Sequence, residues 1–574
     1  MAGFTLIYQH NGLDKGIADR AEKLVESSFK IQFISKTEKL LFLFREGNHY
    51  PYEIIETGNC IIVIEGKVYS LDVGTDKEFV KKCEELINQS SRGLSESQAK
   101  YFHGLDGEFI IYILDRKGDR IVVLNDIFGR LPQYVYHKKQ FILSRDIYIL
   151  DKVTTGLHFD ESSIYQFLRM GFPLGQRTLF YDIDRLNYSS VINIEKDKIA
   201  IKHFPIDLQA LEGTYSGKNA AHDLYDCFKQ ATADRLKSEG QIVVSLSGGL
   251  DSRLVMGEIE KSGSTVDYAS FLYDNPIINS DVEIAKALGK IYSKSPHLIE
   301  LKEWAPESFD ELTLTKGGMN YMGMAFLVRF LMNLGHNYNL MLTGDGGDKT
   351  LPYLFPELRV KEKRFSKYVL KKNAFSSMKT VGSFLINDVK EQEKNLKEYL
   401  DSLPGSNTNY KYKNFLLFDR AFHWLFEGED RNRNYLWSTT PFYQPEFFRL
   451  VHSIPEKEKK NYRLMRSFGD LVDEQLNKVN NANWGMPLSD HRGVDSMLTR
   501  QRIKAMIPFF RGEANAQLSM HKEMAKFTAA MLQKGFGGHV GVFADRYDLE
   551  AASSETLFHL VTLLKISEMS WKGI

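Results

Sequence analysis

Two glycine-rich stretches carry the residue types that chemistry needs. The first, Ser245-Leu246-Ser247-Gly248-Gly249-Leu250-Asp251-Ser252, follows a short run rich in β-branched residues, Gln241–Leu246. It leads into a segment whose spacing reads as a helix, with Gly263 as its stop. Strand, glycine turn and helix N-terminus in that order form an anion site, because free backbone N–H groups point outward and the helix dipole favours negative charge. Gly248 and Gly249 permit a tight turn and close approach of another group to the backbone. Asp251 would repel a bare phosphate, so its place in the cradle makes sense when a divalent cation bridges it to phosphate oxygens. The Walker pattern G-x-x-x-x-G-K-[ST] does not occur in the chain, which excludes that kind of phosphate loop.

The second stretch, Gly344-Asp345-Gly346-Gly347-Asp348, follows the apolar run Leu340–Leu342 and again ends a strand in glycines and acids. A glycine-rich acidic turn is common by itself. Its meaning depends on the elements that hold it. From about residue 215, helices alternate with short apolar strands: a helix over 220–238, a strand over 264–274, a helix over 280–293. That alternation predicts a parallel α/β sheet, in which ligands gather at the carboxyl ends of the strands. Before residue 205 the pattern differs. Short strands broken by turns, over 58–72 and 105–146, alternate apolar and polar residues around a helix over 76–90, which predicts layered antiparallel β structure.

With these residues in view, the chain resembles the asparagine synthetase B family. Ser245–Ser252 is similar to the pyrophosphatase loop of ATP-dependent N-type pyrophosphatases, and Gly344–Asp348 to the family's S-G-E-G-A-D-E. Leu105–Asp115, Asn125–Tyr136 and Phe141–Asp146 follow the order of segments in the glutamine amidotransferase domain. Asp430, Arg431, Pro441, Phe442, Ile454 and Pro455 match a third, C-terminal pattern. The resemblance implies an α+β, Ntn-type amidotransferase-like domain of layered β sheets over 1–205. An α/β pyrophosphatase-loop synthetase domain (adenine nucleotide α-hydrolase-like) over 215–574 would come after it, with a helical C-terminal extension. It implies ATP and Mg²⁺ as cofactors. Leu246, Ser247, Gly248, Gly249, Leu250, Asp251, Ser252, Phe271, Gly344 and Gly346 would surround the nucleotide, and Asp251 and Asp348 would hold the metal. Asp251 and Asp345 are the expected catalytic acids, with Asp345 at the reacting substrate.

The departures from the family are as informative as the matches. Family glutaminases use a cysteine directly after the initiator methionine, where this chain has Ala2, and a methyl group cannot replace a thiol nucleophile. The polar clamp N-G-E-I-Y-N reads Glu65-Gly66-Lys67-Val68-Tyr69-Ser70. The first domain is therefore expected to be a scaffold. The family's Glu and Arg before Pro441-Phe442 are lost, and Asn481 stands nearest a missing lysine that Lys460, Lys478 or Arg463 could replace in space. Matches and departures together imply an ATP-dependent ligase that adenylates a carboxylate and passes the acyl group to an amine. β-Lactam synthetases and lasso-peptide macrolactam cyclases are cysteine-free relatives of this kind. Asparagine-type amidation with free ammonia, and a nucleotide-binding partner protein without turnover, stay open as alternatives.

Composition bounds the rest. Lys plus Arg and Asp plus Glu each number 74, so no charge footprint points to nucleic acid or an anionic membrane. Cys60, Cys83 and Cys227 lack metal spacing, and the odd count fits a reducing, cytoplasmic setting. His297, His336 and His423 lack it too. Neither a secretory leader nor an 18-residue apolar run is present. The expected partner is a small-molecule or peptide carboxylate, with a homodimer or a partner biosynthetic protein left open.

Overall fold

The structure is a computed structural model. It describes residues 1–27, 30–72, 74–88, 95–116, 120–138, 140–154, 156–238, 240–273, 280–385, 388–506, 520–533, 549 and 552–570. The N-terminal domain holds two six-stranded sheets, antiparallel throughout. One runs Ile183–Arg185, Tyr134–His137, Phe141–Ser144, Gly3–Tyr8, Leu40–Arg45, Ile31–Lys36; the other Lys198–His203, Ser190–Glu195, Arg120–Asn125, Gly107–Asp115, Cys60–Val68, Tyr52–Glu56.

The sheets face each other across Phe4, Phe42, Tyr112, Val123, Leu143 and Ile192. Their outer faces are covered as well. Ile17, Ala21 and Leu24 of the helix Lys15–Val25 join Ile7, Leu43 and Ile142, while Phe79, Cys83 and Leu86 of the helix Lys77–Asn88 join Ile62, Phe109 and Ile111. Four layers result, as the sequence led us to expect, but the polar alternation is weaker than expected. Gly107–Asp115 has eight buried residues in succession, because a strand covered on both faces has no solvent side to mark.

The second domain is built on a parallel sheet in the order His297–Leu301, Asp267–Tyr273, Ile242–Ser245, Leu340–Leu342, Trp437–Thr439. Helices Ala220–Leu236, Leu250–Ser262 and Ser280–Ile291 lie close to their expected bounds. Leu340 and Trp437 join the core between the N-terminal sheets, so the two domains share apolar packing. Of the helix expected over 514–535, His521–Gln533 is observed and residues 514–519 lie outside the described residues. The final helix Ser554–Ser570 turns back onto the domain, where Met322 N–H donates to Thr562 Oγ1 and Tyr321 stacks on His559. No helix among the described residues is long and apolar enough to cross a membrane.

Candidate active site

The two glycine-rich loops lie side by side. Strands Ile242–Ser245 and Leu340–Leu342 are parallel neighbours with Val244 opposite Leu342, so both loops emerge at the same sheet edge. Their glycines are required by how closely they meet. A Cβ on Gly344 would lie 2.4 Å from the Ser252 nitrogen, and one on Gly347 2.4 Å from Asp251 Cγ. Gly346 has φ of +91° and rests on the Tyr443 ring, where a Cβ would come within 2.3 Å. Within the first loop Ser247 N–H donates to Ser252 Oγ at 3.1 Å, and Gly249 N–H to Ser247 Oγ at 3.3 Å. Gly248 N–H is held by Asp281 Oδ1 at 2.8 Å. Helix Leu250–Ser262 begins at Gly249 with no side-chain cap, which leaves its first-turn N–H groups without the usual side-chain acceptor. Leu246 and Leu250 are buried beneath the loop, and Phe271 packs edge-on against Phe326 and Phe330 at the end of the adjoining strand.

Three acids converge here. Burial, and then the neighbouring Asp348 carboxylate, holds the Asp251 carboxyl well above the usual range. Its Oδ1 is buried without a hydrogen-bond partner. An orphaned acceptor beside a second carboxylate fits a divalent cation. Among the described residues no set of three or more His, Cys, Asp or Glu forms a metal cage. That matches Mg²⁺, which is usually held by one or two carboxylates and completed by substrate phosphates. Asp251 and Asp348 would hold it, and a bound ion would screen a nucleotide phosphate from their charge.

Burial, then Glu429, raises the Asp345 carboxyl from 3.8 to about 6, while Thr343 Oγ1 donates to its Oδ2 at 3.0 Å. A folded-state value above the unfolded one means that ionisation opposes folding, and the opposition sets in as pH rises from about 4 to about 6. Asp345→Asn should therefore gain stability over wild type through that window, on the order of 1–3 kcal/mol, and hold the gain above it. Urea midpoints at pH 4, 5, 6 and 7 would show it. A difference that did not vary with pH would remove Asp345 from this electrostatic setting.

Arg253 is a site residue that sequence reading missed. Its buried guanidinium donates to the carbonyls of Gly248, Gly249, Leu476, Val479 and Asn480, tying the first loop to the 476–482 segment. Burial lowers its pKa to about 10. Ala482 N–H also donates to Gly248 O. Asn481 is buried in a turn, its Oδ1 accepting from Asn483 N–H, and brings no cation. The three candidate substitutes are not gathered at the acids. Lys478 is exposed and pairs with Glu474, Lys460 lies over the Tyr353 ring, and Arg463 is exposed. Lys349 stands at the acids instead, in contact with the Asp348 carboxylate. His297 and His336 are exposed, and His423 is buried against the Gly175 carbonyl.

The N-terminal domain reaches this site through buried charge. Arg130 Nε and Nη2 donate to Glu429 Oε2 at 3.0 and 2.9 Å, and its Nη1 to Glu108. The Arg130 guanidinium lies over the Tyr443 ring that carries Gly346, and Thr439 Oγ1 donates to Glu108 Oε1 at 2.7 Å. Asp430 accepts from Arg145 and Lys316, which hold its carboxyl down to about 2 against the effect of burial. Arg431, also buried, donates only to the amide oxygens of Asn320 and Asn432, at 2.9 Å each, and its Nε has no acceptor. At the former clamp, Glu65 is committed to Tyr50, Tyr112 and Arg145, and Lys67 Nζ donates to Ser238.

A pyrophosphatase-type loop and an acidic second loop on neighbouring parallel strands, behind a four-layered domain, define an ATP-dependent carbon–nitrogen ligase with an amidotransferase domain in front. Residues 54–205 match the family described as a glutamine amidotransferase domain, and residues 223–467 match asparagine synthase. The chain is an asparagine synthetase-like protein. Among solved structures it is similar to glutamine phosphoribosylpyrophosphate amidotransferase from B. subtilis, complexed with ADP and GMP. That match has 12% identity over 48% of this chain and 67% of that one, with a TM-score of 0.23. A structure of the allosteric regulatory enzyme of purine biosynthesis matches at 10% identity, covering 65% and 72%, with a TM-score of 0.21. No curated protein matches the chain.

Proposed function

We propose that this protein joins a carboxylate to an amine by transferring AMP to the carboxylate, and that its amine does not come from glutamine. The observation that supports this best is the pair Asp251 and Asp348, one with an orphaned oxygen, beside an uncapped helix N-terminus. ATP supplies the activating group and the leaving pyrophosphate. The protein's part is to hold that group with loop N–H groups and, through the two aspartates, Mg²⁺. Asp345, half-neutralised near pH 6, is suited to take a proton from the attacking amine. Arg431, a buried guanidinium whose only partners are amide oxygens, suits an anionic group of the substrate.

Plain aspartate fits this reading less well than a larger acid. The family's Glu and Arg before Pro441 are replaced by Trp437 and Thr439, and both are turned to the N-terminal domain: Trp437 Nε1 donates to Tyr69, and Thr439 to Glu108. The clamp oxygens of Glu65 are already occupied inside the core, which supports a source of nitrogen other than glutamine.

The test supplies Mg-ATP, a panel of carboxylic acids and amines, and either glutamine, ammonium or neither. Pyrophosphate should form with the right acid and amine alone, and glutamine should yield no glutamate. Glutamate released in step with amide would overturn the nitrogen assignment. Strict need for ammonium with aspartate as the preferred acid would do the same for the substrate assignment.

A further inference from the structure

We propose that Lys349 is the cation that receives the departing pyrophosphate, the role for which the 480–489 segment offers no lysine; this rests on the adenylating reading above. Where the family motif S-G-E-G-A-D-E closes on a glutamate, this chain has Lys349 directly after Asp348, a reversal of charge beside the metal acids. Its place is fixed by packing. The short helix Gly347–Thr350 starts with Gly347 pressed against the Asp251 carboxyl, leaving no room for a Cβ. Lys349 Nζ contacts the Asp348 carboxylate, and its charge also acts on Asp251. Its side chain is 17% exposed against 59% for Asp348, so the amine lies along the loop rather than out in solvent.

The nearby alternatives are engaged elsewhere. Arg253 is taken up by five backbone carbonyls, Lys478 pairs with Glu474, and Lys460 rests on Tyr353. In the step itself a carboxylate oxygen bonds to the α-phosphorus, the bond from that phosphorus to the bridging oxygen breaks, and the electron pair leaves on pyrophosphate. The leaving group gains negative charge. Lys349 stays protonated throughout and donates hydrogen bonds to it; nothing is oxidised or reduced. A compact ammonium with three donors is suited to a leaving group whose oxygens shift as it departs.

The test is calorimetric binding of Mg-pyrophosphate, and separately of AMP, to the full chain as wild type, Lys349→Ala and Lys349→Arg. Loss of a charge-assisted contact should weaken pyrophosphate binding by about 10- to 100-fold in Lys349→Ala. Binding of AMP should stay within about twofold of wild type, since the removed contact is to a charged group AMP lacks. Lys349→Arg should recover most of the loss. Equal pyrophosphate binding by Lys349→Ala and wild type would overturn the assignment while leaving the adenylating reading in place. A parallel loss of AMP binding would overturn it too, since the effect would then be general damage to the loops. If wild type binds no Mg-pyrophosphate, the adenylating reading and this proposal fall together.

Discussion

Replacing Asp251 or Asp348 by alanine is expected to abolish pyrophosphate formation in a protein that remains folded. Each variant removes one of the two carboxylates that would hold Mg²⁺ on the leaving phosphates. Metal stabilisation of developing charge is worth several kcal/mol, so the rate should fall by roughly 10³-fold or more. The two variants should differ in stability. Asp348 is largely exposed and its loss should cost nothing measurable. Asp251 carries a buried oxygen with no partner, and burial and Asp348 both oppose its charge. Removing it should leave the protein as stable as wild type or more so, as expected where strain is kept for function. Near-full turnover of either variant with Mg²⁺ would dismiss the two-aspartate assignment.

The second large effect is expected far from the loops in sequence. Arg130→Met leaves Glu108 and Glu429 buried without their shared cation, at 0% and 1% side-chain exposure. Breaking a buried pair from one side costs about 3–5 kcal/mol, and here one guanidinium serves two carboxylates in different domains. Pyrophosphate formation should fall as well, because Tyr443 and Glu429 lose the group that positions them beside Gly346 and Asp345. Adding Glu429→Gln should cost less than the two changes taken separately, since the second removes a charge the first left stranded. Urea unfolding of the three variants would show this. A loss below about 1 kcal/mol would mean that the pair is solvated and does not join the domains.

Local pattern made the loops legible. A β-branched run, two glycines, an acid and a helix are contiguous in Ser245–Ser252, and the same holds for Gly344–Asp348. The parallel sheet and the layered N-terminal domain followed from periodicity, although strands buried on both faces, such as Gly107–Asp115, carry no alternation to read. What sequence could not show is which distant residues meet. Arg130 and Glu429 lie 299 positions apart, and Arg253 and Asn480 lie 227 apart. No spacing rule connects them. Lys349 was within reach, since a lysine directly after the second acid reverses the family's charge, but its importance depended on finding Lys460 and Lys478 committed elsewhere. The tail reads as helices by period, yet the support that Ser554–Ser570 gives to Tyr321 appears only once the chain has folded back.

The most direct test of adenylation is isotopic. Carboxylic acids labelled with ¹⁸O at the carboxylate are incubated with the protein, Mg-ATP and amine acceptors, and the nucleotide products are resolved by mass. Attack of the carboxylate on the α-phosphorus requires AMP and pyrophosphate in equal amounts, with one labelled oxygen carried from the acid into AMP. Formation of ADP and inorganic phosphate, or of AMP without label, in step with amide would contradict the account.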